Sequence, residues 1–178
     1  MNKKETAIIV SRIEQWNNRL KDYFIEDRTP LKAKYAWSKK PVLFSDRTKL
    51  KYKPIIKGKS WGKEWDSAWF CLSGEIKKEW RGKKIITDLD FSGEGLVYDP
   101  TGKEIQGITN ASIWDPNFVR TTVLMPKTCI TKNKVDFWVE AAANSLFGIF
   151  IDVDPEQENP KRHGTFDAKV ETIDIGVF

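Results

Sequence analysis

The residues best suited to chemistry in this chain are few and far apart. One histidine, His163, stands in "NPKRHGT"; two cysteines, Cys71 and Cys129, stand in "AWFCLS" and "LMPKTCI". A zinc site draws several His, Cys or carboxylate ligands from short local spacings, and no such spacing occurs here. A serine or cysteine nucleophile would need His163 beside it, and no motif brings it there. "FSGEGL" has two glycines but lacks the lysine and the following helix of a phosphate-cradling loop. His163 therefore reads as a surface-loop residue. The cysteines read as unpaired thiols inside apolar runs, as expected in a reducing compartment.

Carboxylates are the remaining route to catalysis, because glycoside hydrolysis can run on two acids. Glu94, Asp99, Asp115 and Glu140 fall near strand ends or among aromatics. With twenty-five acidic residues some pair will lie close by chance, so no catalytic residue is assigned. Aromatic side chains beside acids and amides have a second use. A sugar stacks its C–H face on Trp or Tyr while its hydroxyls bond carboxylates and amides. "NASIWDPNF" offers Trp114 beside Asp115 and Asn117 in a loop, and these three are the candidate sugar-binding residues. The competing role for Trp114 is a loop plug packed on its own domain.

These residues must be positioned by short strands. "KKIITDLDF" (83–91) places Ile85, Thr87, Leu89 and Phe91 on one face and Ile86, Asp88 and Asp90 on the other. "EGLVYD" (94–99), the turn "PTGKE" and "IQGIT" (105–109) form a hairpin signature. "AWFCLS" (68–73), "VRTTVLM" (119–125), "KVDFWVEA" (134–141), "FGIFIDV" (147–153) and "FDAKVETIDI" (166–175) complete the strand set. In 134–141, Val135, Phe137 and Val139 alternate with Asp136, Trp138 and Glu140. Many strands without interleaved helices predict an all-β sandwich or jelly roll. "DPEQENPKRHG" (154–164) reads as a surface loop.

One helix precedes them. Ile9, Ile13, Trp16, Leu20 and Phe24 recur at three- and four-residue spacing, which predicts a helix over 5–24 with an apolar stripe packed on its own domain or, as the alternative, on a partner. Residues 29–59 are basic and broken by Pro30, Pro41 and Pro54, and read as an extended connector with one short helical turn. The expected organisation is one structural domain: a helix and connector over 1–60 packing on a β-sandwich over 61–178.

Bulk composition agrees. The chain has 178 residues, 40% of them hydrophobic, with eight Trp and ten Phe, enough for a core in which each large buried side chain contributes about 1.5–3 kcal/mol. No run of about 18 apolar residues exists, and the apolar stretch of the N-terminus breaks at Ser11–Arg12, too early for a signal peptide. The expectation is a cytoplasmic protein with no membrane partner. The net charge is +5, yet the lysines are scattered, so they describe a solvated surface and not a nucleic-acid footprint.

The ordered series "WGKEWDSAWFCLSGEI" (61–76), "EWRGKKIITDLDFSGEGLVYDPTGKEIQGIT" (79–109) and "EAAANSLFG" (140–148) resembles the N-terminal domain of the microbial and vacuolar-type α-mannosidases of glycoside hydrolase family 38. The opening "SRIEQW" also suits that family. The resemblance implies a jelly-roll-like β-sandwich, galactose-binding-like in outline, with an N-terminal helix, set before a larger catalytic unit. In this family a zinc ion, a His-X-Asp motif and an aspartate nucleophile carry the reaction in a later α/β domain. This sequence has no His-X-Asp, so no catalytic, cofactor-binding or metal residue is carried over, and zinc is expected in the catalytic domain. The chain ends about where that domain should begin, and the fragment alone is expected to be inactive.

Trp61, Trp65, Trp69, Phe70 and Trp80 are expected to anchor the opening of the sandwich. Gly102 and Gly107 are expected to supply turn or strand-end geometry. The implied function is an accessory or scaffold domain of a mannosidase that hydrolyses terminal α-mannosides. Its partners would be the catalytic and later β domains of the same polypeptide and, within that frame, mannosides and a homo-oligomer of the parent. An independent carbohydrate-binding module is the alternative. The N-terminal helix and an outward Trp138 are the expected exposed apolar surface.

Overall fold

The computed structural model describes residues 3–23, 25–110, 119–144 and 167–178. Helix α1 runs Lys3–Tyr23 and is followed by thirteen strands. These are β1 (Glu26–Pro30), β2 (Lys32–Ser38), β3 (Lys53–Ile55), β4 (Ser60–Lys63), β5 (Ser67–Glu75), β6 (Ile85–Asp90), β7 (Glu94–Tyr98), β8 (Glu104–Thr109), β9 (Thr122–Leu124), β10 (Ile130–Thr131), β11 (Lys134–Ala142), β12 (Asp167–Lys169) and β13 (Thr172–Val177). Short 3₁₀ turns occupy Phe44–Lys49, Lys78–Trp80 and Lys127–Cys129. Among the described residues no helix is long and apolar enough to cross a membrane.

Among the described residues every strand pair is antiparallel. The larger sheet has seven strands in the order β3-β2-β5-β11-β7-β8, with β10 also on β11. The smaller has four, β1-β13-β6-β9, and β12 pairs with β4 beside them. The two sheets bury their inner faces against each other. Tyr35, Phe70, Leu72, Val97, Val135, Phe137 and Val139 come from the larger sheet, and Ile85, Leu89, Val123, Ile173, Ile175 and Val177 from the smaller. The alternation read over 134–141 lands as expected, with its Val-Phe-Val face in the core. Phe70 joins this core to the sheet ends: its ring lies 4.3 Å from Phe91 and 5.5 Å from Trp61. The Trp61 indole in turn donates to the Phe91 carbonyl at 2.9 Å.

Several expectations are corrected. Residues 29–59 are not a connector: the end of β1 and all of β2 and β3 lie within them, and β2 pairs along its whole length with β5. Lys32 and Lys34 face out while Ala33 and Tyr35 are buried, so these two lysines mark the outer face of a strand. The expected helical turn is the Phe44–Lys49 segment. The stretch 166–175 divides between two sheets, because buried Val170 turns the chain and exchanges backbone bonds with Gly58 and Lys59. The expected strand 147–153 lies outside the described residues.

Helix α1 exposes residues 3–16, including Ile8, Ile9, Val10, Ile13 and Trp16, and so does not show the packed stripe expected of it. The outer face of the smaller sheet carries the Arg28–Asp88 ion pair at 3.1 Å. Trp65 is 47% exposed at φ +70° and is not part of the core, unlike Trp61, Trp69, Phe70 and Trp80. Its backbone is the hinge of the β4–β5 turn, and its N–H is spent on the Ala143 carbonyl.

Trp80 is fixed from below. Its indole donates to Asp27 at 2.8 Å and Lys77 pairs with the same carboxylate at 2.6 Å. Asp27 sits at φ +46° where the β1–β13 register slips, and these two donors hold its carboxyl below the usual carboxylate range.

Trp69 is 2% exposed but lies on the outer face of the larger sheet. It donates to the Val42 carbonyl at 2.8 Å and packs on Phe44 and Tyr98. Trp69→Ala is expected to cost about 3–5 kcal/mol, measured by denaturant unfolding; an unchanged midpoint would show that this cluster contributes nothing. Thr87 is fully buried between Ile175 and Val123, and its hydroxyl has no hydrogen-bond partner among the described residues. Thr87→Val keeps the shape and removes the orphan, so it is expected to gain about 1 kcal/mol in the same assay.

Candidate functional site

The outer face of the larger sheet can be read off its register. One cross-strand row runs Cys71, Trp138, Tyr98; the next runs Trp69, Glu140, Leu96, Gly107; the third runs Ser67, Ala142, Glu94, Thr109. The first row and Trp69 are roofed by residues 42–52. Phe44 lies 5.2 Å from Tyr98 and meets Trp69 edge-on. Arg47 stacks 3.4 Å from the Phe44 centroid and 4.5 Å from that of Trp138, and Tyr52 closes on Trp138 from the other side. Trp138 is thus half-buried under a lid of its own chain, and is not the exposed apolar surface expected of it. Desolvation in this lid pushes the Tyr52 phenol up to about 12.

Gly102 belongs to the same lid. It sits at φ +96° with the Phe44 ring where a Cβ would be, so only glycine serves both the turn and the ring.

Among the described residues the rest of the face is open. It forms a bay of about 440 Å³ lined by Pro41, Ser67, Glu94, Leu96, Gly107, Thr109, Arg120, Glu140 and Ala142, with Gly95, Ile108 and Ala141 beneath. Glu94 is tied to the end of β11: its carboxylate accepts from the Asn144 amide at 2.6 Å, and its N–H donates to the same side chain at 2.9 Å. Glu140 accepts from the Tyr98 hydroxyl at 3.4 Å, and burial pushes its carboxyl up. Burial, then the Glu140 charge, likewise pushes the Tyr98 phenol up. Thr109 and Arg120 exchange backbone bonds at 3.0 and 2.8 Å, which brings the arginine to the rim. The bay therefore offers acceptors (Glu94, Glu140) and donors (Arg120, Thr109) around an apolar floor.

Of the four acids singled out in the sequence, the structure brings Glu94 and Glu140 to one bay. Asp99 is buried at the β7–β8 turn and accepts from the Thr101 N–H and hydroxyl and the Lys103 N–H at 2.9, 2.6 and 3.0 Å. It is a turn-former. Asp115, with Trp114 and Asn117, lies outside the described residues, as does His163. Among the described residues no three of His, Cys, Asp and Glu converge as a metal ion requires. Arg120, Asn144 and Tyr98 were not singled out from sequence. Gly107 was, but for turn geometry; it lies inside β8 without a left-handed φ.

Two facing antiparallel sheets, with segments folded over one outer face, define a jelly-roll β-sandwich domain. The chain belongs to the family described as "Alpha-mannosidase, jelly roll domain", whose model matches residues 29–168. It is similar to alpha-mannosidase G of Dictyostelium discoideum, at 24% identity over 158 residues, covering 82% of this chain and 14% of that protein. The chain thus spans about one-seventh of that relative's length. In fold it is similar to beta-glucuronidase 2 of Bacteroides uniformis, with a TM-score of 0.52 and 11% identity, covering 84% of this chain and 17% of that one.

The Asp99 turn has a pH signature. Its hydrogen bonds pull the carboxyl from 3.8 down to about 2, so the folded chain favours the charged form more than the unfolded chain does. Its stabilisation is complete above about pH 4 and is lost as pH falls through about 2. Asp99→Ala is expected to lower the melting temperature at neutral pH and to flatten this acid limb; parallel acid limbs in the two proteins would remove Asp99 as its source.

Proposed function

We propose that this chain is a non-catalytic accessory domain, placed N-terminal to the catalytic unit of a cytoplasmic, zinc-dependent α-mannosidase that hydrolyses terminal α-mannosides. The observation that carries this reading is the family match over 29–168, supported by a relative of which the chain spans 14%. The domain's work in that setting is structural: it packs on the catalytic and later β domains and contributes to the assembly of the parent. The zinc ion of this reading belongs to the catalytic unit, where it would act as a Lewis acid.

The test is the native gene product, detected with an antibody raised against this chain. The expected result is a polypeptide several-fold larger than 20.6 kDa that releases mannose from an aryl α-mannoside and loses that activity to a zinc chelator. A native product of about 20.6 kDa, or a large one inert on α-mannosides, overturns the reading.

A further inference from the structure

Gly107 is the residue in the bay that the fold does not explain. Glycine inside a strand weakens it, and the usual reasons are a bulge, a bend or a close approach by another group. Its φ is not left-handed. A Cβ there would meet only the Gly95 carbonyl oxygen, at 4.0 Å. The register runs unbroken across it, from Glu94 opposite Thr109 to Val97 opposite Gln106. No neighbour demands the missing side chain. What its absence provides is depth, because Gly107 lies in the row Trp69, Glu140, Leu96, Gly107, where any larger residue would fill the bay.

The bay's chemistry narrows the class of guest. Its volume of about 440 Å³ falls in the range of roughly 300–1,000 Å³ typical of small-molecule sites. Glu140 is half-buried, and its one described donor is the Tyr98 hydroxyl at a long 3.4 Å, so it has acceptor capacity for a donor entering the bay. A cation would meet that need but would also face the Arg120 guanidinium on the rim. An anion would meet two carboxylates. A neutral polyol meets neither difficulty, since each hydroxyl both donates and accepts: it can donate to Glu140 and Glu94 and accept from Arg120 and Thr109. Leu96, Pro41 and Ala142 give an apolar bed to the C–H face of a ring.

We propose that this bay is a binding site for a hexopyranose, with Glu140 and Arg120 gripping its hydroxyls and Gly107 making room for the ring. The site stands on its own geometry. Only the choice of mannose as first probe rests on the functional reading above.

The test is amide chemical-shift mapping of the whole chain, titrated with methyl α-mannoside, methyl α-glucoside and methyl β-galactoside, each to about 50 mM, suited to the millimolar affinity expected of one ring. The expected result is a saturable shift of the Gly95, Leu96, Gly107 and Thr109 amides. Gly107→Val should weaken that response by at least about tenfold while the melting temperature holds or rises. Glu140→Gln, which keeps the shape, should weaken it without abolishing the fold. Binding of glucoside or galactoside without mannoside supports the bay and counts against mannose as its ligand. No saturable shift with any of the three overturns the site and leaves the mannosidase reading to its own assay. So does a response unchanged in Gly107→Val, or one given only by N-acetylarginine amide.

Discussion

The β5–β11 pairing runs nine residues without a shift, from Lys134 opposite Glu75 to Ala142 opposite Ser67, and both faces of the larger sheet follow from it. Side chains alternate at period two, so slipping β11 by one residue against β5 would send Phe137 and Val139 outward and bring Trp138 and Glu140 into the core. The alternation in β11 makes that slip costly, because Glu140 would lose water and Tyr98 together. The same register puts Glu140 beside Trp69 on one flank and Leu96 on the other. The core and the bay are thus two readings of one pairing.

Two aromatic groups consolidate the sheet, one on each face. Inside, Tyr35, Trp61 and Phe91 surround Phe70. Outside, Phe44 and Tyr98 hold Trp69, and Tyr52 and Arg47 hold Trp138. The outer group exists because residues 42–52 return across the strands, anchored by the Trp69–Val42 bond. Arg47 donates to the Phe44 carbonyl at 2.7 Å, and Tyr52 donates to the Arg47 carbonyl at 3.0 Å, so this lid closes on itself. It covers Trp69, Tyr98 and Trp138, and the bay begins at Pro41.

Strands with one buried face were legible from sequence because burial imposes the period: 134–141 and the 94–109 hairpin are the clearest. β2 was missed although "KAKYAWS" carries the same alternation, since the flanking prolines and lysines of 29–59 weigh toward a linker when partners are unknown. Pro30 and Pro54 fall in β1 and β3, edge strands of their sheets, where a missing N–H is tolerated, and Pro41 lies outside the strands. Glu94 and Glu140 were visible as acids, but their shared face needs the β7–β11 pairing, a contact between residues more than forty apart in sequence. Gly107 and Gly102 look alike as letters. Only backbone angles separate the glycine that turns from the glycine that makes room.

The two edge strands have a consequence for the molecule in solution. β3 is three residues long and centred on Pro54, flanked by Lys53. β1 ends in Pro30 and is bent at Asp27 by its positive φ and register slip. An edge that is short, charged, kinked or lacking an N–H is a poor template for another strand. At the opposite end of the larger sheet the Gln106 amide reaches over to the Thr122 carbonyl at 2.9 Å, tying β8 to β9 across the two sheets. Edge-to-edge pairing with another strand is therefore disfavoured at β1 and β3 and hindered at β8.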